Sequence, residues 1–530
     1  MFHKKNSMLR FSTKKRFSII DWEISPTAQT ALSLLSSFVS YVVTLGISFF
    51  LSPYIVKMLG EEANGFTSLA SNFISYAQII TLALNGMGGR YIVVAYHRGD
   101  YEKASRYFTT LFFSNTILSV VFLITGGVCV YRLEYIVNIS ENLVTDVKFL
   151  FSLVFINFIF NTLLSQFSCS VTIKNKLYLT YFREIQGQLV RGILLLTLFI
   201  FLVPKVYFIG LGALASSVIA AVYNIIYKIH LVPEIKIRKE YFTLKYLKEL
   251  LSNGIWNSLS QAGAILLTGL DLLITNLFVS SSMMGVLSIA KTLPSIFSTI
   301  ATTISSIFYP QILLNYSKNN SDGIVSTIRK STKVIVFIVS IGTSFLIVFG
   351  YDFYSLWQPT LDARVLQILS ILSCLGTIVI CAGQSMTQVF TVTLHIKENS
   401  ISVIITGILS TVLTLVLVKY TTLGVYAVAG VSTVLGIIRS VVFLLPRAAG
   451  YLHKKKSVFF YTIRNAVFCN AVLCLIGFLI KQIMSQDSWL ELILTAVVFA
   501  FVGLISNTFV VLNKSERLML IDLVKAKLKK

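Results

Sequence analysis

Long apolar runs recur along this chain from residue 31 to residue 512, separated by short polar connections. Each run is about 20 residues or longer, enough to cross roughly 30 Å of hydrocarbon at a helical rise of about 1.5 Å per residue. The pattern predicts fourteen spans, at 31–55, 66–88, 107–131, 148–172, 185–203, 207–227, 252–279, 284–309, 333–350, 365–391, 399–418, 423–445, 463–483 and 488–512. No connection between them is long enough for a soluble domain of ordinary size. Composition agrees. Of 530 residues, 55% are hydrophobic and 13% charged, and the mean hydropathy is +0.79, so lipid is the main solvent.

A net charge of +23 would suit a nucleic-acid binder, but the distribution of the charge excludes that class. The tails and alternate loops hold 35 Lys and Arg, the other loops hold 7, and Arg191, Lys291 and Arg439 fall within spans. This bias places both termini in the cytosol, and an even number of spans agrees. The basic first 28 residues read as a retained tail, with Phe17 to Trp22 at the membrane surface. All six cysteines lie inside apolar spans, with neither metal-binding spacing nor a disulfide framework.

An internal repeat gives the spans an order. Gly65-Phe66-Thr67-Ser68-Leu69-Ala70 opens the second span and Gly285-Val286-Leu287-Ser288-Ile289-Ala290 the eighth. An offset of six spans keeps both halves in the same orientation, a known transporter design. The expected architecture is an all-α polytopic membrane protein, with two six-helix lobes in parallel pseudo-repeat around a central cavity and two extra C-terminal helices. Its expected parts are a basic tail (1–28), an N-terminal lobe (29–230), a cytosolic linker helix (231–251), a C-terminal lobe (252–446), the extra spans (447–512) and a second basic tail (513–530).

Polar stripes mark where these helices face protein or water rather than lipid. Span one carries Ser33, Ser37, Ser40, Thr44 and Ser48, and span seven carries Asn257, Gln261, Thr268, Asp271 and Thr275. Span two carries Ser68, Ser71, Asn72, Ser75, Gln78 and Asn85, and span eight carries Ser288, Lys291, Ser295, Ser298, Thr302 and Ser305. Spans four and ten form a third such pair. The stripes match under the six-span offset, which suggests a shared polar cavity. Ordinary helix packing through Ser and Thr is the competing reading.

Asp271 is the carboxylate deep in a span, and Lys291 is the nearest basic candidate. The short turn after Val279 makes spans seven and eight antiparallel neighbours, and both residues fall roughly 10–14 Å deep at 1.5 Å per residue. Each charge costs about 2.5–3.5 kcal/mol in a bilayer, so they are expected to pair. The pair is either structural or a site for substrate or a coupling ion, H+ or Na+. Arg191 and Arg439 are expected to snorkel towards the cytosol. Arg90, beside Gly86-Met87-Gly88-Gly89, stands where an anionic head group would enter. No enzyme constellation, phosphate-binding loop or cofactor motif is present in the sequence.

Leu59-Gly60-Glu61-Glu62-Ala63-Asn64-Gly65-Phe66 resembles the polysaccharide transport family of the multidrug/oligosaccharidyl-lipid/polysaccharide exporter superfamily, with Asn64 replacing an aromatic residue. Asn138-Ile139-Ser140-Glu141, Pro233-Glu234, Gly254-Ile255-Trp256-Asn257, Met284-Gly285, Pro310, Gly424 and Gly430 follow in the family's order. The resemblance covers roughly residues 30–445. It implies an alternating-access flippase of the bacterial plasma membrane, moving undecaprenyl-pyrophosphate-linked oligosaccharide outward for surface polysaccharide biosynthesis. Glycosyltransferases and a polysaccharide polymerase would be its partners. Two alternatives stay open: an ion-coupled drug or small-molecule antiporter of the same superfamily, and a membrane-embedded polymerase or acyltransferase. The candidate cavity residues are Asn257, Gln261, Thr268, Asp271, Lys291, Ser68, Asn72, Gln78 and Arg90.

Overall fold

The computed structural model describes residues 26–512 together with 514, 516 and 517. Apart from 26–28, 514, 516 and 517, the two expected tails lie outside the described residues, as does the segment Phe17 to Trp22. The described chain is helical throughout, without a strand.

The first helix, α1 (Pro26–His97), is two arms joined at Gly60, where φ is +85°. That backbone region costs glycine little and other residues more, so the chain turns there. Then follow α2 (Tyr101–Tyr131), α3 (Val144–Leu164), α4 (Tyr178–Phe201) and α5 (Phe208–Leu231). These pack among themselves: α1 against α2 and α4, α3 against α2 and α5.

The expected linker helix is not observed over its first half. Residues 232–243 form an irregular connection with one tight turn at Lys239–Tyr241. Pro233 has no N–H to give a helix. Helix resumes at α6 (Leu244–Ala264), so the last residues of the expected linker are the first turns of the seventh span.

The second half comprises α7 (Asp271–Phe278), α8 (Ser281–Ala290), α9 (Thr292–Ser317), α10 (Ser321–Trp357), α11 (Ala363–Cys374), α12 (Thr377–Gln384), α13 (Thr387–Val392), α14 (Ile396–Tyr420), α15 (Val425–Ile438) and α16 (Leu445–Tyr451). The final pair is α17 (Phe460–Ile483) and α18 (Trp489–Val510). Helix starts are capped by side chains that accept orphan N–H groups. Asp100 accepts from Lys103 at 2.9 Å, Ser280 from Met283 at 3.1 Å and Asn320 from Gly323 at 2.8 Å.

Among the described residues, twelve helices are long and apolar enough to cross a membrane, or thirteen if the segments Gly254–Gly269 and Asp271–Phe278, bent by 42°, make one span. The expected fourteen is reached only if the two arms of α1 are also counted apart. Several helices overrun the expected apolar cores. The ninth span, expected at 333–350, is the middle of α10, whose first turns are polar.

The final pair packs on the second half. Asn507 donates to the Phe337 carbonyl at 2.9 Å and to Ser340 at 3.0 Å. Asn470 donates to Thr343 at 2.9 Å and accepts from Ser344 at 2.6 Å. Amide–hydroxyl bonds of this kind hold helices together where hydrophobicity cannot, because lipid tails are as apolar as leucine.

Candidate substrate pathway

The two halves meet along a seam at the face with the short, weakly charged loops. There the repeat glycines cross. A methyl group on Gly65 would stand 2.8 Å from the Gly285 Cα, and one on Gly285 would stand 2.1 Å from the Glu61 carbonyl oxygen. Only glycine lets the backbones approach so closely. Around the crossing, Asn64 donates to Ser288 at 3.0 Å and Ser282 to Glu61 at 2.9 Å. Asn138 and Asn276 exchange three bonds of 2.8–3.0 Å between side chains and backbone. The Trp357 indole donates to the Phe49 carbonyl at 3.0 Å and stacks on the Phe49 ring at 5.2 Å, with Trp489 edge-on to the same ring at 6.3 Å.

One layer deeper, two helix breaks face each other. The α6 helix widens into an i→i+5 turn at Ile265–Gly269 before α7 begins. This frees the Gly269 carbonyl, which accepts from Tyr76 at 2.7 Å and Asn72 at 3.2 Å. Asp271 opens α7, and Lys291 sits at the junction of α8 and α9. Lys291 donates to Asp271, as an ion pair. The carboxylate is buried at 4% exposure, while the Lys291 side chain keeps 24%. The lysine is thus the more exposed partner of the pair.

Towards the basic face, the second arm of α1 runs against α6. A methyl group on Gly254 would collide with the Ala83 carbonyl, and the Asn257 amide approaches Gly86. Tyr107 of α2 donates to Glu249 at 3.0 Å. On α9, by contrast, Ser295, Thr299, Thr302, Thr303 and Ser306 are exposed, and each hydroxyl bonds a carbonyl of its own helix. They form a strip of hydroxyl oxygens that are still free to accept.

The predicted residues divide accordingly. Asn72, Asp271 and Lys291 come together around the helix breaks. Gln78 and Thr268 are exposed, while Ser68, Asn257 and Gln261 are half-buried. Arg90 is exposed and stands 14 residues beyond Tyr76 on α1, about 21 Å along the helix at its usual rise, so it does not join the ion pair. Part of the span-two and span-four stripes is packing within the first half. Asn115 donates to Asn85 and Gln166, each at 3.0 Å. Tyr76, Asn64, Asn138 and Asn276 were not among the predicted residues. Asn64 and Asn138 carried a signal, the first as the departure from the aromatic residue expected at that place and the second as the start of the Asn138-Ile139-Ser140-Glu141 motif.

Of the two arginines within spans, Arg439 is held by an asparagine, whereas Arg191 keeps its Nε buried without a hydrogen-bond partner among the described residues. Arg183 of α4 donates to Asn224 of α5. Arg439, immediately after α15, donates to Asn399 at 2.5 Å and to Ser402 at 3.1 Å, at the start of α14. Among the described residues no group of three His, Cys, Asp or Glu could hold a metal ion.

A family model described as "Polysaccharide biosynthesis protein" matches residues 32–314. The chain is 28% identical over 494 residues to "Uncharacterized membrane protein EpsK" of Bacillus subtilis (strain 168), a match spanning 92% of this chain and 96% of that protein. Among solved structures it is similar to the inward-facing conformation of a multidrug resistance MATE family transporter of the MOP superfamily. There the TM-score is 0.63 at 14% identity, over 80% of this chain and 98% of the other. It is also similar to the lipid II flippase MurJ in its inward closed conformation, with TM-score 0.60 at 14% identity over 89% and 98% of the two chains. At such identities the structural likeness is one of fold.

Proposed function

Since the chain belongs to the polysaccharide biosynthesis protein family, we propose that it is a flippase for undecaprenyl-pyrophosphate-linked oligosaccharide repeat units. It acts by alternating access in a bacterial plasma membrane, with both termini in the cytosol. The lobes at 29–230 and 252–446 are the units that rock.

One observation carries this reading. The halves are sealed at the weakly charged face by the Gly65–Gly285 crossing, while the hydroxyl strip on α9 lies uncovered beyond the seam. Hydroxyls and amides suit a glycan, whose groups both donate and accept. A cation reachable from the pathway suits a pyrophosphate, and Lys291 is that cation, with Arg90 nearer the basic entrance. One of the similar folds is that of a lipid II flippase, which supports a lipid-linked substrate.

The competing reading is an ion-coupled antiporter, favoured by the multidrug transporter of similar fold and by the buried Asp271 carboxylate. The geometry weakens it, because Asp271 is the buried partner of the pair and Lys291 the exposed one, so an incoming cation meets the like charge first.

The test is transport in everted membrane vesicles loaded with a fluorescent undecaprenyl-pyrophosphate oligosaccharide. Movement to the lumenal leaflet that requires this protein is the expected result. No flipping, together with gradient-driven efflux of a cationic dye, would replace the proposal with the antiporter.

A further inference from the structure

Away from the seam, a cavity of about 380 Å³ lies between α14 and α15. Its walls are apolar, formed among others by Ile401, Ile405, Leu409, Leu435 and Val442. Ile405 and Val442 are 62% and 70% exposed, as residues facing acyl chains are. The opposite face of α14 is the one turned to the protein, where Ser400 meets Ser260 at 2.6 Å and Gly407 abuts the Gly263 carbonyl. The groove therefore belongs to the lipid side and not to the substrate pathway.

Two charges line this groove, Arg439 and Glu398. Arg439 opens a six-residue i→i+5 turn, Arg439–Leu444, which interrupts the α-helical ladder where the groove lies. Such turns are rare and recur at functional sites. The guanidinium spends Nε on Ser402 and Nη2 on Asn399, and Nη1 has no protein partner among the described residues. Glu398 accepts the Tyr451 hydroxyl. Neither charge has an ion-pair partner among the described residues. Ionisable groups in a membrane are normally paired or functional. Here a cation and an anion share one groove without neutralising each other.

We propose that this groove binds an aminophospholipid of the adjoining leaflet, with its phosphate on Arg439, its ammonium on Glu398 and an acyl chain along the isoleucine and leucine wall. Arginine is the side chain of choice for a phosphate, since its planar fork offers parallel N–H donors. An anionic lipid would satisfy Arg439 but bring a second negative charge beside Glu398. A zwitterionic head group answers both, and primary ammonium adds N–H donors for the carboxylate. The site is independent of the substrate reading, because it lies on the lipid face of the second half.

The test is native mass spectrometry of the full-length protein, delipidated and then titrated with phosphatidylethanolamine, phosphatidylglycerol or phosphatidylcholine. The expected result is preferential retention of phosphatidylethanolamine, lowered about tenfold by Arg439→Gln, the scale of one lost charged hydrogen bond. Glu398→Gln should turn the preference towards phosphatidylglycerol. Ile405→Trp fills the groove without touching either charge and should lower retention of all three lipids. Equal retention of the three by the unmodified protein, or a preference for phosphatidylglycerol, overturns the proposal. So does undiminished phosphatidylethanolamine binding in Arg439→Gln. Should that variant fail to fold, Ile405→Trp decides alone, and unchanged retention there refutes the site.

Discussion

Gly65 and Gly285, the opening residues of the two repeat copies, lie backbone against backbone at the seam between the halves. Equivalent positions of a parallel repeat meet in this way near the axis that relates them. The repeat was found in the sequence as a six-residue match. In the structure those two segments touch.

The first prediction follows from that contact. Gly285→Leu cannot be accommodated beside the Glu61 carbonyl, so the seam must open or the helices shift, at a cost of about 1–3 kcal/mol. A cysteine at Asn64, which bonds Ser288 across the seam, should then react severalfold faster with a membrane-impermeant maleimide in intact cells. Unchanged labelling in a protein that still reaches the membrane would count against an opening seam.

Asp271 and Lys291 give the second. Removing either partner leaves a charge buried and unpaired, which costs about 3–5 kcal/mol. Asp271→Asn and Lys291→Gln should each lower the melting temperature sharply, and the double variant should recover most of the loss. The recovered protein is expected to export poorly, because the quarter of Lys291 that stays exposed is what a pyrophosphate would meet. Normal export by the double variant would remove Lys291 from the pathway and leave Arg90 as the cation.

Orientation is the third. A single cysteine at Lys245, exposed at the start of α6, should be protected from impermeant reagents in intact cells. One at Glu141, exposed on the weakly charged face, should be labelled. The reverse result would invert the topology.

The fourth concerns the final pair. Asn507→Leu removes the amide that donates to the Phe337 carbonyl and Ser340 and accepts from the Cys469 thiol, a loss of about 1–3 kcal/mol for buried groups. Thermal unfolding in detergent should show it, with the Asn470 bonds to α10 still holding α17 in place. An unchanged melting temperature would mean that apolar packing alone fixes the pair.

The spans were legible because lipid imposes a simple rule on length and hydropathy. The Asp271–Lys291 pair was legible because a short turn and a fixed helical rise set both residues at one depth. What could not be read depends on departures from regular helix. The Gly269 carbonyl is free only because α6 widens at Ile265–Gly269, in a stretch of ordinary composition without proline. Hence the roles of Asn72 and Tyr76 stayed hidden. The polar stripes were ambiguous for another reason. The amide of Asn85, which binds Asn115 and so packs one half, is chemically no different from that of Asn64, which joins the two.

The aromatic contact at the seam gives the molecule its own optical reporter. Of four tryptophans in the chain, Trp357 and Trp489 both rest on Phe49, and the Trp357 N–H is held by a carbonyl from the other half. When the halves part, that indole exchanges a fixed, dry acceptor for water, and its emission moves to longer wavelength. A chain in which Trp22 and Trp256 are replaced by phenylalanine would therefore signal each opening of the seam as a change of colour, without any attached dye.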